Sequence, residues 1–146
     1  MIRMVGRNNF ESFFSLLTKM ASYEKITPPD KNAKKRLFQD CISKHPKYQA
    51  YLIQKGNKYL GFVILVMVYS SFLGLPTLFI EDIFVLEEYR RRGVGQKIFA
   101  FCVNFAKKNK CKRIEWWTFN WNTPALSFYK KNKAEPLDVT YFRYSV

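Results

Sequence analysis

The most specific chemistry in this 146-residue chain lies in Arg90-Arg91-Arg92-Gly93-Val94-Gly95. Glycines let a backbone come close to a ligand, and a helix starting just after them aims unpaired N–H groups at whatever is held there. With three guanidinium groups alongside, the loop suits a diphosphate. A tight strand-to-helix turn with solvated arginines has the same composition, so the loop alone does not decide. It is not a Walker A loop, because no Gly-Lys-Ser/Thr follows, nor a full dinucleotide fingerprint. Two further side chains could move protons. Glu81, beside Asp82 in an apolar run, would have its pKa raised by partial burial. Read by type alone, it is a surface carboxylate at a strand end. Tyr129 can donate a phenolic proton, or can be a core aromatic.

The elements that must position these residues follow from periodicity. Met1 to Val5 reads as a short strand, and Asn9 can cap a helix with Phe10, Phe13, Phe14, Leu17, Met20 and Ala21 on one face. Thr27-Pro28-Pro29-Asp30 ends it, and Asp30 can cap a second, more polar helix to about Ser43. Tyr48 to Gln54 and Leu60 to Tyr69 read as strands around the turn at Gly56, and Thr77 to Val85 as a third. After the glycine loop, Ile98, Phe101, Cys102, Phe105 and Ala106 form the apolar face of a helix whose last turn is cationic. Arg113 to Phe119 reads as a strand. Asn122 or Thr123 then caps a short helix with Pro124 in its first turn. Val139 to Val146 reads as a final strand. The order β-α-α-β-β-β-α-β-α-β describes a mixed α/β single domain over residues 1–146.

Composition narrows the class. With 48% hydrophobic and 18% aromatic residues, the chain can bury a real core. The net charge of +14, from 25 Lys+Arg against 11 Asp+Glu, favours something anionic: nucleic acid, an acidic membrane surface or a phosphorylated cofactor. Cys41, Cys102 and Cys111 are odd in number and lack metal-ligand spacing, which fits a reducing compartment, the cytoplasm, and gives no reason to expect a metal. Residues 59–80 carry no charge, but Gly61, Ser70, Ser71, Gly74 and Pro76 make two buried strands a better reading than a membrane span. Residues 1–9 lack an apolar stretch of signal-peptide length.

Set in context, these segments resemble one family. Arg90, Gly93 and Gly95 match the R/Q-x-x-G-x-G/A coenzyme A loop of the GNAT acetyltransferases. Asn122-Thr123-Pro124-Ala125-Leu126-Ser127-Phe128-Tyr129 resembles the family's second motif, and Leu78 to Val85 its acetyl-side strand. Within the family the chain is most similar to the spermidine/spermine (diamine) and thialysine N-acetyltransferases, through Ile80-Glu81-Asp82, Tyr89-Arg90, Trp121-Asn122, Phe128-Tyr129-Lys130, Ala21 to Glu24, His45-Pro46 and Gly61-Phe62.

The resemblance implies an α/β GNAT fold: a mixed central sheet, splayed at the acetyl-coenzyme A site and flanked by about four helices. It implies transfer of acetyl from acetyl-coenzyme A to a primary amine, a small polyamine- or diamine-like molecule. An aliphatic amine, with a pKa near about 10.4, is almost wholly protonated at neutral pH, so a base is needed. Glu81 takes that role, through water, and Tyr129 that of the general acid. Ile83, Phe84 and Val85 would lie along the pantetheine arm. Arg90, Arg91, Arg92, Gly93, Val94, Gly95 and Gln96 would hold the pyrophosphate, with Asn122, Thr123, Pro124 and Ala125 beside it. Tyr23, Glu24, Glu81, Asp82, Glu115, Trp116 and Trp117 would hold the amine, with plain strand packing as the alternative for the two tryptophans. A homodimer is implied, with no nucleic-acid or membrane partner and no metal.

Some features depart from the pattern. Ser70-Ser71-Phe72 stands where the eukaryotic diamine enzymes have Asp-Pro-Trp, Lys133 stands where glycine is common, and the stretch after Lys131 is shorter. A charge of +14 also repels a polycation at long range. A lysine-like amino acid or a peptide or protein amine therefore stays open as acceptor. The competing readings are a basic nucleic-acid-binding domain, which the scattered cations disfavour, and a silent acyl-coenzyme A binder, which retained Glu81 and Tyr129 disfavour.

Overall fold

The computed structural model describes residues 1–146, and the backbone gathers into two compact units, Met1–Trp116 and Trp117–Val146. The first holds a five-stranded mixed sheet in the order β1 (Ile2–Met4), β2 (Gln49–Lys55), β3 (Lys58–Ser70), β4 (Leu75–Val85) and β5 (Ile114–Glu115). Strands β1 to β4 are antiparallel neighbours, and β5 runs parallel to β4. A parallel pair needs a crossover, here supplied by α3 (Val94–Lys108). The other helices of this unit are α1 (Phe10–Glu24) and α2 (Lys31–Cys41).

Both faces of the sheet are covered. Phe13, Leu17, Ala50, Leu52 and Phe62 form a core under α1, and Val63, Leu65, Leu78, Ile98 and Cys102 form another under α3. This explains the uncharged run at residues 59–80: β3 is central and buried on both sides, so it loses the usual alternation. No helix is long and apolar enough to cross a membrane.

The helix signals translate closely. Asp30 caps α2 by accepting from the Ala33 N–H at 2.7 Å. Asn9 precedes α1 without capping it. Its Oδ1 instead accepts from the Gly6 N–H at 2.7 Å, and its Nδ2 donates to the Met4 carbonyl at 3.1 Å, bracing the turn out of β1.

The β4 register contains an irregularity that periodicity did not predict. Ile64 faces Asp82 and Leu65 faces Ile80, so Glu81 is an extra, unopposed residue in a β-bulge. The bulge reverses which side chains face which core. Leu78 and Ile80 lie under α3, whereas Phe84 lies under α1.

Two expected strands are corrected. The strand expected over Arg113 to Phe119 is laddered only at Ile114–Glu115, and Val139 to Val146 forms no strand. Side-chain alternation supplies a face, but a strand also needs a neighbour for its main-chain groups, and residues 116–119 and 139–146 have no such ladder. The second unit contains α4 (Thr123–Lys131) and a cluster of rings. Trp117 stacks on Tyr141 at 5.7 Å, and Phe119 stacks on Trp121 at 5.6 Å.

Candidate active site

The acidic residues expected to meet an amine assemble in part. The bulge places Asp82 on the α1 face of β4, the face of its cross-strand partner Ile64 and of Phe84. Burial, reinforced by the negative charges of Glu81 and Glu24, pushes the Asp82 carboxyl up to about 7. Glu24, in the last turn of α1, is also raised by burial. Glu81 itself is exposed. Three carboxylates thus share one region of the first unit, and the most perturbed is Asp82. Partial burial, expected for Glu81, falls on Asp82 instead. Only the bulge separates the two, and side-chain periodicity carries no sign of it.

The glycine loop follows β4 through a short 3-10 turn (Glu87–Tyr89). Arg91 has φ 58° and Gly93 φ 79°, so the chain passes twice through the left-handed region before α3 begins. Gly93 is the N-cap of α3 and no side chain caps that helix. The first helical bond runs from the Lys97 N–H to the Gly93 carbonyl at 3.1 Å, so the N–H groups of Val94, Gly95 and Gln96 lie ahead of the helical ladder. Nothing lies within 4 Å of where a Gly93 Cβ would be. Open space, orphan N–H groups and the exposed Arg91 and Arg92 fit a diphosphate.

Beyond Phe79, whose partner is Glu115, β5 no longer ladders with β4. The β4 edge along Ile80–Val85 therefore has no ladder partner on the β5 side, and such an edge suits the peptide-like amides of a pantetheine arm. Ile83 and Val85 pack toward the α3 core and Phe84 toward the α1 core, which fixes this segment from both sides. A Cβ at Gly61 would strike the Phe84 carbonyl oxygen, so the glycine allows β3 and β4 to approach at this point.

Arg90, expected at the pyrophosphate, contacts β4 and α1. Its Nε donates to the Val85 carbonyl at 2.9 Å, and its guanidinium carbon lies 4.2 Å from the centre of the Tyr23 ring and 5.7 Å from that of Phe84. The side chain folds back onto β4 and α1. Tyr23 and Phe84 are themselves 6.3 Å apart, centre to centre.

The remaining acceptor-side residues are dispersed. Glu115 is ion-paired with Arg113 at 2.9 Å. Trp116 packs with the α3 core, its ring edge-on to Phe99 at 5.9 Å. Trp117 belongs to the second unit and stacks there on Tyr141.

In the second unit Asn122 caps α4, its Oδ1 accepting from the Ala125 N–H at 3.4 Å, and Thr123 and Pro124 open the first turn. Tyr129 lies in the last turn of α4, its ring edge-on to Phe128 at 5.5 Å. The Tyr129 carbonyl accepts from the N–H groups of Asn132 and Ala134, closing the helix.

Comparison with known proteins agrees with this architecture. A profile of the Acetyltransferase (GNAT) family matches residues 10–133. An L-ornithine N5-acetyltransferase of Arabidopsis thaliana is 36% identical over 98 residues, covering 66% of this chain but only 43% of that protein. A thialysine N-epsilon-acetyltransferase of Bos taurus is 26% identical over 145 residues, covering 94% of this chain and 85% of that one. Among solved structures, a possible acetyltransferase from Clostridium difficile 630 superposes with a TM-score of 0.85 at 17% identity, over 100% of this chain and 97% of that one. The sheet, the crossover helix, the uncapped glycine turn and the family profile lead to one assignment. The chain belongs to the GNAT acetyltransferase family.

Proposed function

We propose that this chain transfers the acetyl group of acetyl-coenzyme A to the primary amine of a small molecule, a lysine-like amino acid or a diamine. The observation that carries the reading lies on β4 and its exit. One strand presents Glu81 and Asp82 at a bulge, opens its edge over Ile80–Val85, and runs on to the uncapped Gly93 turn. Donor and acceptor halves of an acyl transfer are thereby carried by consecutive residues.

In this reading the loop N–H groups with Arg91 and Arg92 hold the diphosphate, and Asn122 to Ala125 are assigned to the cofactor by the family's second motif alone. Glu24 and Asp82 attract the ammonium. Glu81 accepts its proton through water, which an exposed carboxylate on a bulge is free to do. The amine then attacks the thioester carbon, a main-chain N–H among Ile83, Phe84 and Val85 stabilises the oxyanion, and the C–S bond breaks. Tyr129, matched on the family motif, protonates the departing thiolate.

Relatives whose names specify ornithine and thialysine favour an amino-acid side-chain amine over a longer polycation. The chain's own charge of +14 argues the same way, since each added positive charge on a substrate increases the repulsion it meets. Function as a single domain and as a homodimer is part of the proposal. The β3–β4 hairpin tip supports the second point: Tyr69 is 71% and Phe72 99% exposed, which suits an apolar surface covered by a second copy. Light scattering on a sizing column tests it, and a clean 17.4 kDa species would remove it. The three unbridged cysteines are in keeping with a reducing compartment.

The test of activity is release of coenzyme A thiol from acetyl-coenzyme A by purified protein, across thialysine, ornithine, lysine, putrescine and spermidine. Amine-dependent release supports the reading; a flat response across the panel with coenzyme A still bound counts against it.

A further inference from the structure

We infer that Arg90 is a positioning residue that straps the donor loop to the acceptor wall, rather than a ligand of the pyrophosphate. The inference rests on the acetyltransferase reading above, and concerns what one residue of its motif does.

Three contacts define the strap. The Nε–H of Arg90 donates to the Val85 carbonyl at 2.9 Å, which closes the turn between the end of β4 and the glycine loop. The guanidinium lies over Tyr23, with its carbon 4.2 Å from the ring centre. It also lies 5.7 Å from the centre of Phe84. Tyr23 is adjacent in sequence to Glu24, and Phe84 is two residues from Asp82 on the same face of β4. One planar cation therefore touches the helix carrying one carboxylate and the strand carrying another, from the first position of the phosphate loop.

The geometry assigns different tasks to three neighbouring arginines. Arg91 and Arg92 are exposed beside the open Gly93 turn, where a diphosphate would sit. Arg90 is half-buried and held on one side by a carbonyl and on two others by rings. Swinging it to a phosphate would break a hydrogen bond to a charged donor and two cation–π contacts. Phosphate binding has no need of that, because the helix N–H groups and two freer guanidinium groups are already at hand. The strap also explains why arginine suits the position. A planar guanidinium donates in its plane while turning a face to the Tyr23 ring, and lysine cannot do both.

Loss of the strap would free the end of α1 and, with it, the spacing of Glu24 from Asp82. The effect should therefore appear in amine binding. The experiment compares wild type with Arg90→Gln, Arg90→Lys and Arg91→Gln by three readouts: coenzyme A affinity by calorimetry, Michaelis constants with thialysine as acceptor, and amide hydrogen exchange of residues 21–26. The strap predicts that Arg90→Gln speeds exchange at residues 21–26 about 10-fold or more and raises the KM for thialysine by a similar factor. Coenzyme A affinity should change less than about 3-fold, whereas Arg91→Gln should show the reverse pattern. Arg90→Lys, which keeps the charge but loses the plane, should show the same split at lower amplitude, and it stands in if Arg90→Gln does not fold. A 10-fold or larger loss of coenzyme A affinity in the Arg90 variants, with exchange at residues 21–26 unchanged, would overturn the strap. If wild type turns over no amine, the acetyltransferase reading fails, while exchange and calorimetry still judge the strap independently.

Discussion

Asp82 stands directly across the β3–β4 ladder from Ile64, a carboxyl facing a side chain that is only 5% exposed. The bulge at Glu81 creates this pairing. Without the extra residue Asp82 would share the α3-side face of Leu78 and Ile80, away from α1 and Glu24. The raised carboxyl of Asp82 is thus a consequence of register.

That relationship has a measurable sign. The folded chain holds the Asp82 proton up to about pH 7, whereas an unfolded Asp loses it near about 3.9. The folded state binds more protons at Asp82 across that window, so the contribution of Asp82 to stability is greatest below pH 4, declines as pH rises toward 7 and levels off beyond it. Asp82→Asn should remove this decline, on the order of 4 kcal/mol between pH 4 and pH 8 by urea denaturation. An unaltered slope in the variant would show that Asp82 is not the group responsible.

Tyr129→Phe tests the proposed acid with one atom removed. We expect kcat to fall by roughly 10²-fold or more, with coenzyme A affinity within about 2-fold of wild type. Turnover close to wild type would assign the thiolate's proton to another donor.

Glu81→Gln removes the proposed base while leaving the bulge able to form. Its kcat should fall by roughly 10²-fold at pH 7 and recover in part at higher pH, as free amine becomes abundant. A pH-independent loss would point to amine binding instead of proton removal.

Two glycines test the scaffold by different mechanisms. Gly61→Ala puts a Cβ against the Phe84 carbonyl oxygen and should cost about 2 kcal/mol or more, seen as a lower melting temperature. Gly93→Ala meets no neighbour, but must hold φ 79°. It should cost about 1 kcal/mol from backbone strain and weaken coenzyme A binding as the loop relaxes. Equal losses of stability with no change in coenzyme A affinity for Gly93→Ala would remove that loop from the binding site.

Much of this was legible before any coordinates. Phe10, Phe13, Leu17, Met20 and Ala21 lie at helical spacing and all are buried in α1, because a helix on a sheet must be amphipathic. The Asp30 cap and the glycine loop were legible for similarly local reasons. What is not legible depends on pairing and packing that local spacing does not specify. Asn9 bonds backward to Met4 and Gly6 instead of forward into its helix. The apparent strand at Val139 to Val146 has alternation without a ladder. The Glu81 bulge is set by pairing with β3, and the fold-back of Arg90 by the ring of Tyr23. A motif names which residues are present; register and packing decide which way they turn.

The central claim is that one strand carries the base and leads into the donor's cradle. Its most direct test is thiol release from acetyl-coenzyme A with thialysine, measured for wild type, Glu81→Gln and Gly93→Ala together with coenzyme A affinity. Wild type should turn over, Glu81→Gln should lose kcat with intact affinity, and Gly93→Ala should bind coenzyme A more weakly. Coenzyme A binding that is indifferent to Gly93→Ala, together with turnover indifferent to Glu81→Gln, would contradict it.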